Sequence, residues 1–225
     1  MRVDRKLVPL LVFIGGFCYG QVAEKANERY QTEQGRATIA KGLGSSDRDR
    51  IQRPDELVRV IGVKPGMTAA DVGTGVGYML PHLSAAVGPN GKVIGEDIFD
   101  DFLEKARATA EKAALNNVQF VKGTEKTANL PQGEVDVILA LDSYHHFNYP
   151  KEMLASFHSA LKPGGRLAIV EYYRREGAMA GQNALMHIRV DDAGVIKEVE
   201  AAGFRLIQEQ EQIPKSQYIA LFERK

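Results

Sequence analysis

The run Asp71-Val72-Gly73-Thr74-Gly75-Val76-Gly77 constrains this chain more than any other segment. Thr68 to Val72 reads as a strand and Tyr78 to Val87 as a helix, so three alternate glycines sit at a strand-to-helix turn. Glycine lets the backbone bend sharply there and approach a ligand that a side chain would keep away. A dinucleotide fingerprint beginning at Gly73 would need a third glycine where the chain has Tyr78, and no Lys followed by Ser or Thr closes a P-loop. Diphosphate recognition is therefore disfavoured. Asp71 points the same way, because a carboxylate repels a pyrophosphate and attracts an ammonium or sulfonium group.

Strand and helix patterns alternate through the rest of the body. Pro54 opens a short helix carrying Leu57, Val58, Val60 and Ile61; Lys92–Asp97 reads as a strand and Asp100–Leu115 as a helix. Strands are then predicted at Val118–Val121, Val135–Leu141 and Arg166–Tyr172. A helix over Lys151–Leu161 and the turn Lys162-Pro163-Gly164-Gly165 precede the last of these. The near-continuous apolar run Val135–Leu141 suits a strand buried on both faces. A helix over Asp191–Ala202 ends at Gly203, and Phe204–Gln210 and Gln217–Phe222 form a terminal hairpin around Pro214. The expected fold is α/β, a three-layer sandwich on a mostly parallel seven-stranded sheet with an antiparallel C-terminal hairpin. Ligands of such sheets sit beyond the carboxyl ends of the strands, where the strand order reverses.

The 225 residues amount to roughly one and a half typical domains. Residues 54–225 hold the α/β body, 21–53 a polar arm or linker, and 1–20 a separate leader. In that leader Arg2, Arg5 and Lys6 precede the uncharged stretch Leu7–Gly20, the pattern of an export signal. The stretch is short of the roughly 20 residues that span a bilayer. A cleaved signal with cleavage before Gln21 is the first expectation, and an anchor associating with the membrane through residues 7–20 the second. The protein is then periplasmic or membrane-anchored, with a cytoplasmic chain as the alternative. The arm is expected to be a solvated surface helix and linker, with a lid over the site as the sharper alternative. Lys plus Arg and Asp plus Glu both number 29, so no net field attracts nucleic acid. A single cysteine, Cys18, excludes an intrachain disulfide and CxxC chemistry.

From Pro54 to the C-terminus the sequence resembles the class I S-adenosylmethionine-dependent methyltransferases, nearest to the ubiquinone and menaquinone biosynthesis type. That resemblance implies a Rossmann-like sheet, S-adenosylmethionine as cofactor and a small-molecule methyl acceptor. It implies that Asp71, Gly73, Thr74, Gly75 and Gly77 wrap the methionine part. Asp97, 20 residues after Gly77, has a carboxylate that can accept from both ribose hydroxyls, with Ile98 beside it. Glu96 is expected to point the other way. Thr124 and Glu125 follow the third strand where the family flanks adenine, although the family usually has an acid at the place of Thr124. Asp142, a further expected cofactor contact by the same resemblance, opens the later motif Asp142-Ser143-Tyr144-His145-His146-Phe147.

The sulfonium is already an activated leaving group, so the protein's task is to place a nucleophile in line with the S–CH3 bond. A base would help an acidic acceptor, and His146, then His145, are the candidates, though neighbours in an extended stretch face opposite ways. Tyr144, Tyr173, Arg174 and His187 are the expected acceptor contacts, with Arg189 nearby. Met179 and Met186 are read as packing or lid residues, and His82 and His158 as surface positions. No metal is expected, since adjacent histidines lack the i, i+4 spacing of a helical ligand pair. The competing reading is a methyltransferase-like module that binds a nucleoside or a partner without turnover.

Overall fold

A computed structural model of the chain describes residues 22–44 and 47–225. The leader, including Cys18, lies outside the described residues. Seven strands form one sheet: β1 (Thr68–Val72), β2 (Lys92–Asp97), β3 (Val118–Lys122), β4 (Val135–Leu141), β5 (Leu161–Tyr172), β6 (Phe204–Ile213) and β7 (Gln217–Arg224). Their order is β3-β2-β1-β4-β5-β7-β6. β1 to β5 pair in parallel, whereas β7 runs antiparallel to both β5 and β6. The chain steps outward from β1 to β3 and then outward the other way from β4, so the order reverses between β1 and β4. That is where an open α/β sheet leaves a crevice.

Period-two alternation sends side chains to two cores. Ala70, Ile138, Leu167, Ile169, Tyr218, Ala220 and Phe222 face one layer, with Phe157 of α7 (Pro150–Ala160) and Val195 and Val199 of α9 (Asp192–Ala201). Ala69, Val137, Leu139, Ala168, Val170, Ile219 and Leu221 face the other, with Leu57 of α4 (Pro54–Val60) and Leu80 and Leu83 of α5 (Leu80–Val87). Each large side chain buried this completely contributes about 1.5–3 kcal/mol.

Several boundaries moved for local reasons. The helix expected from Tyr78 begins at Leu80, because Gly77 keeps φ at +80° and holds the turn open. Helix α6 (Asp100–Lys112) stops short of Leu115, with Ala114 at φ +51°. Lys162–Gly165 loops out within β5 itself: Val135 pairs Leu161, and the next pair joins Val137 to Arg166. The largest difference is the arm. It folds as α1 (Glu24–Asn27), a single tight turn, α2 (Glu33–Leu43) and α3 (Arg48–Gln52). Ala23, Ala26, Ala40 and Gln52 are buried. Arg36 donates to both Asp101 carboxylate oxygens, at 3.0 and 2.8 Å, and tacks α2 onto the start of α6. The arm is packed against the body, as the lid reading requires, instead of extending into solvent.

Candidate functional site

Beyond the carboxyl ends of β1, β2 and β4 lies a cavity of about 1050 Å3, counted to its open mouth. Its floor is the glycine turn. Gly73 and Gly75 have φ of +72° and +55°, a region that L side chains avoid. A Cβ on Gly73 would stand 2.7 Å from Ser143 Cβ, and one on Gly75 3.0 Å from Leu43 Cδ1. The glycines thus bring bare backbone to the cavity.

Carboxylates surround that backbone. Thr74 Oγ1 donates to Asp71 Oδ2 at 2.7 Å. Asp97 accepts the Gly75 N–H on Oδ2 and the Phe99 N–H on Oδ1, both at 3.0 Å. Glu96 accepts the Gly73 N–H on Oε2 at 3.3 Å, and its Oε1 has no partner among the described residues. Burial pushes Asp71 up to about 6 against the pull of Thr74 and Arg48, and Asp97 up to about 6 against the N–H groups of Phe99 and Gly75. It pushes Glu96 well above the carboxylate range, with Asp97 adding to the effect. Asp142 reaches about 7 through burial and the nearby Glu171, opposed by Arg48. Among the described residues, Arg48 is the one Lys or Arg on this lining, against Asp71, Glu96, Asp97, Glu125 and Asp142. Such a pocket favours a cationic occupant.

After β4, Asp142 turns the chain at φ +53°. Its carboxylate accepts from Gln217 Nε2 at 2.6 Å and Gln52 Nε2 at 3.3 Å, with Arg48 Nη2 at 3.6 Å. Tyr144–His146 then form one tight helical turn. The histidines were expected to face apart if the stretch stayed extended. The turn sets their rings side by side instead, with centroids 4.0 Å apart. His145 Nδ1 lies 2.6 Å from Glu171 Oε2, and His146 Nδ1 lies 2.8 Å from Asn27 Oδ1. Burial, reinforced by neighbouring cations, pushes His145 down to about 3 and His146 well below the usual imidazole value.

A family model described as a methyltransferase domain matches residues 63–214. The chain belongs to this methyltransferase family. A solved structure of an S-adenosylmethionine-dependent methyltransferase from Aquifex aeolicus has a TM-score of 0.77 to it at 28% identity, over 84% of this chain and 98% of that one. A ubiquinone/menaquinone biosynthesis C-methyltransferase from Ectopseudomonas mendocina is 28% identical over 153 residues, 68% of this chain and 59% of that protein. A demethylmenaquinone methyltransferase from Lactococcus lactis is 31% identical over 166 residues, 68% of this chain and 63% of that protein. The chain thus spans less than two thirds of the length of these curated relatives.

The methyltransferase cofactor is S-adenosylmethionine, and the residues present fit it. The bare glycine backbone admits close approach, the uncompensated carboxylates suit a sulfonium and an ammonium, and Asp97 keeps one lone pair per oxygen for ribose hydroxyls. Asp71, Gly73, Thr74, Gly75, Asp97, Ile98, Thr124, Glu125 and Asp142 all line this one cavity. Gly77 does not. A Cβ there would stand 2.8 Å from Leu80 Cδ1 and 3.1 Å from Ala106 Cα, so it serves the packing of the turn on α6. Glu96, expected to turn away, lies on the same lining because the glycine turn folds back over it.

The expected acceptor contacts fare differently. His146 lines the cavity, while His145 is buried behind it. Tyr144 is wholly buried, and its hydroxyl donates to Glu198 Oε2 at 2.6 Å; the helical turn directs it inward. Tyr173 packs on Tyr218 and under Arg175. Arg174 is consumed by backbone, donating to the carbonyls of Ile188 at 2.8 Å and Leu185 at 3.0 Å. Arg189 pairs with Glu198 at 2.7 Å. His187 stands beside the histidine pair, its ring centroid 4.9 Å from that of His145 and 5.7 Å from that of His146. The spacing argument against a metal considered only the local pair, and the fold adds this third ring. Missed altogether were Asn27, Tyr30 and Arg48 of the arm. Tyr30 stacks on Phe99 and meets His146 edge-on at 4.5 Å. Its hydroxyl is pushed up to about 12 by burial and by Asp97 and Asp142. Nothing local in the sequence marks these residues, because their partners lie far along the chain.

Proposed function

We propose that this domain transfers the methyl group of S-adenosylmethionine to a small-molecule acceptor by in-line displacement. The bound donor supplies an electrophilic methyl on a sulfonium, so the chain's own work is to hold, orient and dry the two reactants. Asp71 and the Gly73–Gly75 backbone hold the cationic amino-acid end, Asp97 the ribose, and Thr124 and Glu125 the base. One observation carries the reading: the cavity that holds these donor contacts continues to His146, Phe147, Met153 and Tyr30, so an acceptor seated there shares the donor's enclosure. Rings of Tyr30, Phe99, Phe102 and Phe147 line it, which suits a flat aromatic or quinone-like acceptor. The names of the relatives support the same class.

His146 serves this reaction as a positioning residue. With Nδ1 directed at Asn27, its Nε2 carries the free lone pair. Its depressed proton affinity makes it a poor store for an abstracted proton, so it orients the acceptor more than it deprotonates it. The export or anchoring role of residues 1–20 belongs to the same proposal, and fractionation of the tagged full chain checks it. Among the described residues no helix is long and apolar enough to cross a membrane.

The test is to incubate the purified chain with methyl-labelled S-adenosylmethionine and a small-molecule extract, then identify labelled products by mass. Label in a compound of low mass supports the proposal. Donor binding without label transfer to any component would favour the non-catalytic module.

A further inference from the structure

We propose that His145, His146 and His187 bind one divalent transition-metal ion of the zinc class, with a coordination position left open at the edge of the donor cavity. Each of the three offers one ring nitrogen, and these nitrogens lie within 4.8 Å of one another. A tetrahedral ion with metal–nitrogen bonds of 2.0–2.1 Å separates its ligands by about 3.3 Å, so modest side-chain rotation closes the set.

The surroundings are those of oriented ligands. Metal-bound imidazoles commonly use their second nitrogen on a carboxylate or carbonyl, which fixes the ring and the tautomer. His145 Nδ1 meets Glu171 Oε2 at 2.6 Å, and Glu171 is itself held by the backbone N–H groups of His145 at 3.1 Å and Tyr172 at 2.7 Å. His146 Nδ1 meets Asn27 Oδ1 at 2.8 Å. Both rings therefore keep Nε2 free. The His187 ring makes no hydrogen bond among the described residues, and it reaches the pair from α8 (Ala184–His187), a short helix brought over by the fold. Three imidazoles with no thiolate select zinc, cobalt or nickel over calcium or magnesium. Three protein ligands are also the count of a site that keeps room for water or substrate. His146 belongs to the main cavity and His187 to the adjoining groove with Arg174 and Met186, so the open position lies where the two meet.

A bound ion would take the His146 Nε2 lone pair assigned above to the acceptor, so this inference replaces that one role of His146, and its readout is metal binding, not methyl transfer. The untagged chain, stripped with chelator, is titrated with Co2+ followed by visible absorption, and with Zn2+ against a chromophoric chelator. The expected result is one ion per chain, with affinity reduced at least a hundredfold in His187→Ala and about ten- to hundredfold in Glu171→Gln. His82→Ala and His158→Ala retain the parent value. Near-ultraviolet circular dichroism shows that each variant is folded, and should Glu171→Gln unfold, the half-buried His187 decides alone. Absence of stoichiometric binding in the parent, or unchanged binding in folded His187→Ala, overturns the site. S-adenosylmethionine titrated into the same samples reports on the donor pocket separately, so one reading can fail while the other stands.

Discussion

Asp97→Asn keeps the shape of the residue at the centre of the donor contacts and removes one acceptor and one charge. In the parent, Oδ2 takes the Gly75 N–H and Oδ1 the Phe99 N–H, both at 3.0 Å, which leaves one lone pair on each oxygen for a ribose hydroxyl. An amide has a single oxygen, so its Nδ2 must confront a backbone N–H on one side. A hydrogen bond to a charged group contributes about 1.5–3 kcal/mol. Loss of one such bond weakens the donor complex roughly ten- to hundredfold. Calorimetric titration at pH 8 measures this with Asp97, pushed up to about 6, fully ionised in the parent. S-adenosylhomocysteine carries the same ribose and should suffer the same ratio. A folded Asp97→Asn chain that binds both ligands within threefold of the parent would refute the ribose assignment.

Acid should weaken donor binding: Asp71 and Asp97 both sit at about 6, and the cation and the hydroxyls select their ionised forms. Lowering the pH from 8 to 5 then costs about tenfold per carboxylate, and a flat calorimetric profile would contradict it. Asp71→Asn is expected to raise the melting temperature of the ligand-free protein at pH 8 while weakening donor binding. Its folded value stands above the ordinary 3.8, so the fold is favoured below that value and loses about 3 kcal/mol as pH rises through about 6. The amide should return about 1–3 kcal/mol of this. Gly77→Ala combines φ +80° with a contact of 2.8 Å to Leu80 Cδ1. It should cost about 2–4 kcal/mol in urea unfolding, with donor affinity of the folded protein within threefold of the parent.

What the sequence made legible was whatever depends on neighbours in the chain. β1 and β2 read as strands and β4 as a buried run, with the glycines just after the end of β1 and Asp97 at the end of β2. Hence nine expected cofactor contacts share one cavity. Residues whose roles depend on tertiary partners were misread. Tyr144 looked like a site residue but fills the core, since a helical turn and Glu198 decide its direction. Arg174 looked free and is occupied by carbonyls of its own loop. The arm read as solvated because its charges dominate, and most of its residues are exposed, yet Ala23, Ala26, Ala40 and Gln52 are buried and Arg36 and Arg48 meet acids of the body.

Asn27, Tyr30, Leu43 and Arg48 place part of the cavity lining on a segment that precedes the α/β body in the chain. Arg36 on Asp101 fastens that segment to the first turn of α6, outside the cavity lining itself. Were ligand exchange to require the arm to open, release of that contact would set an upper limit on turnover.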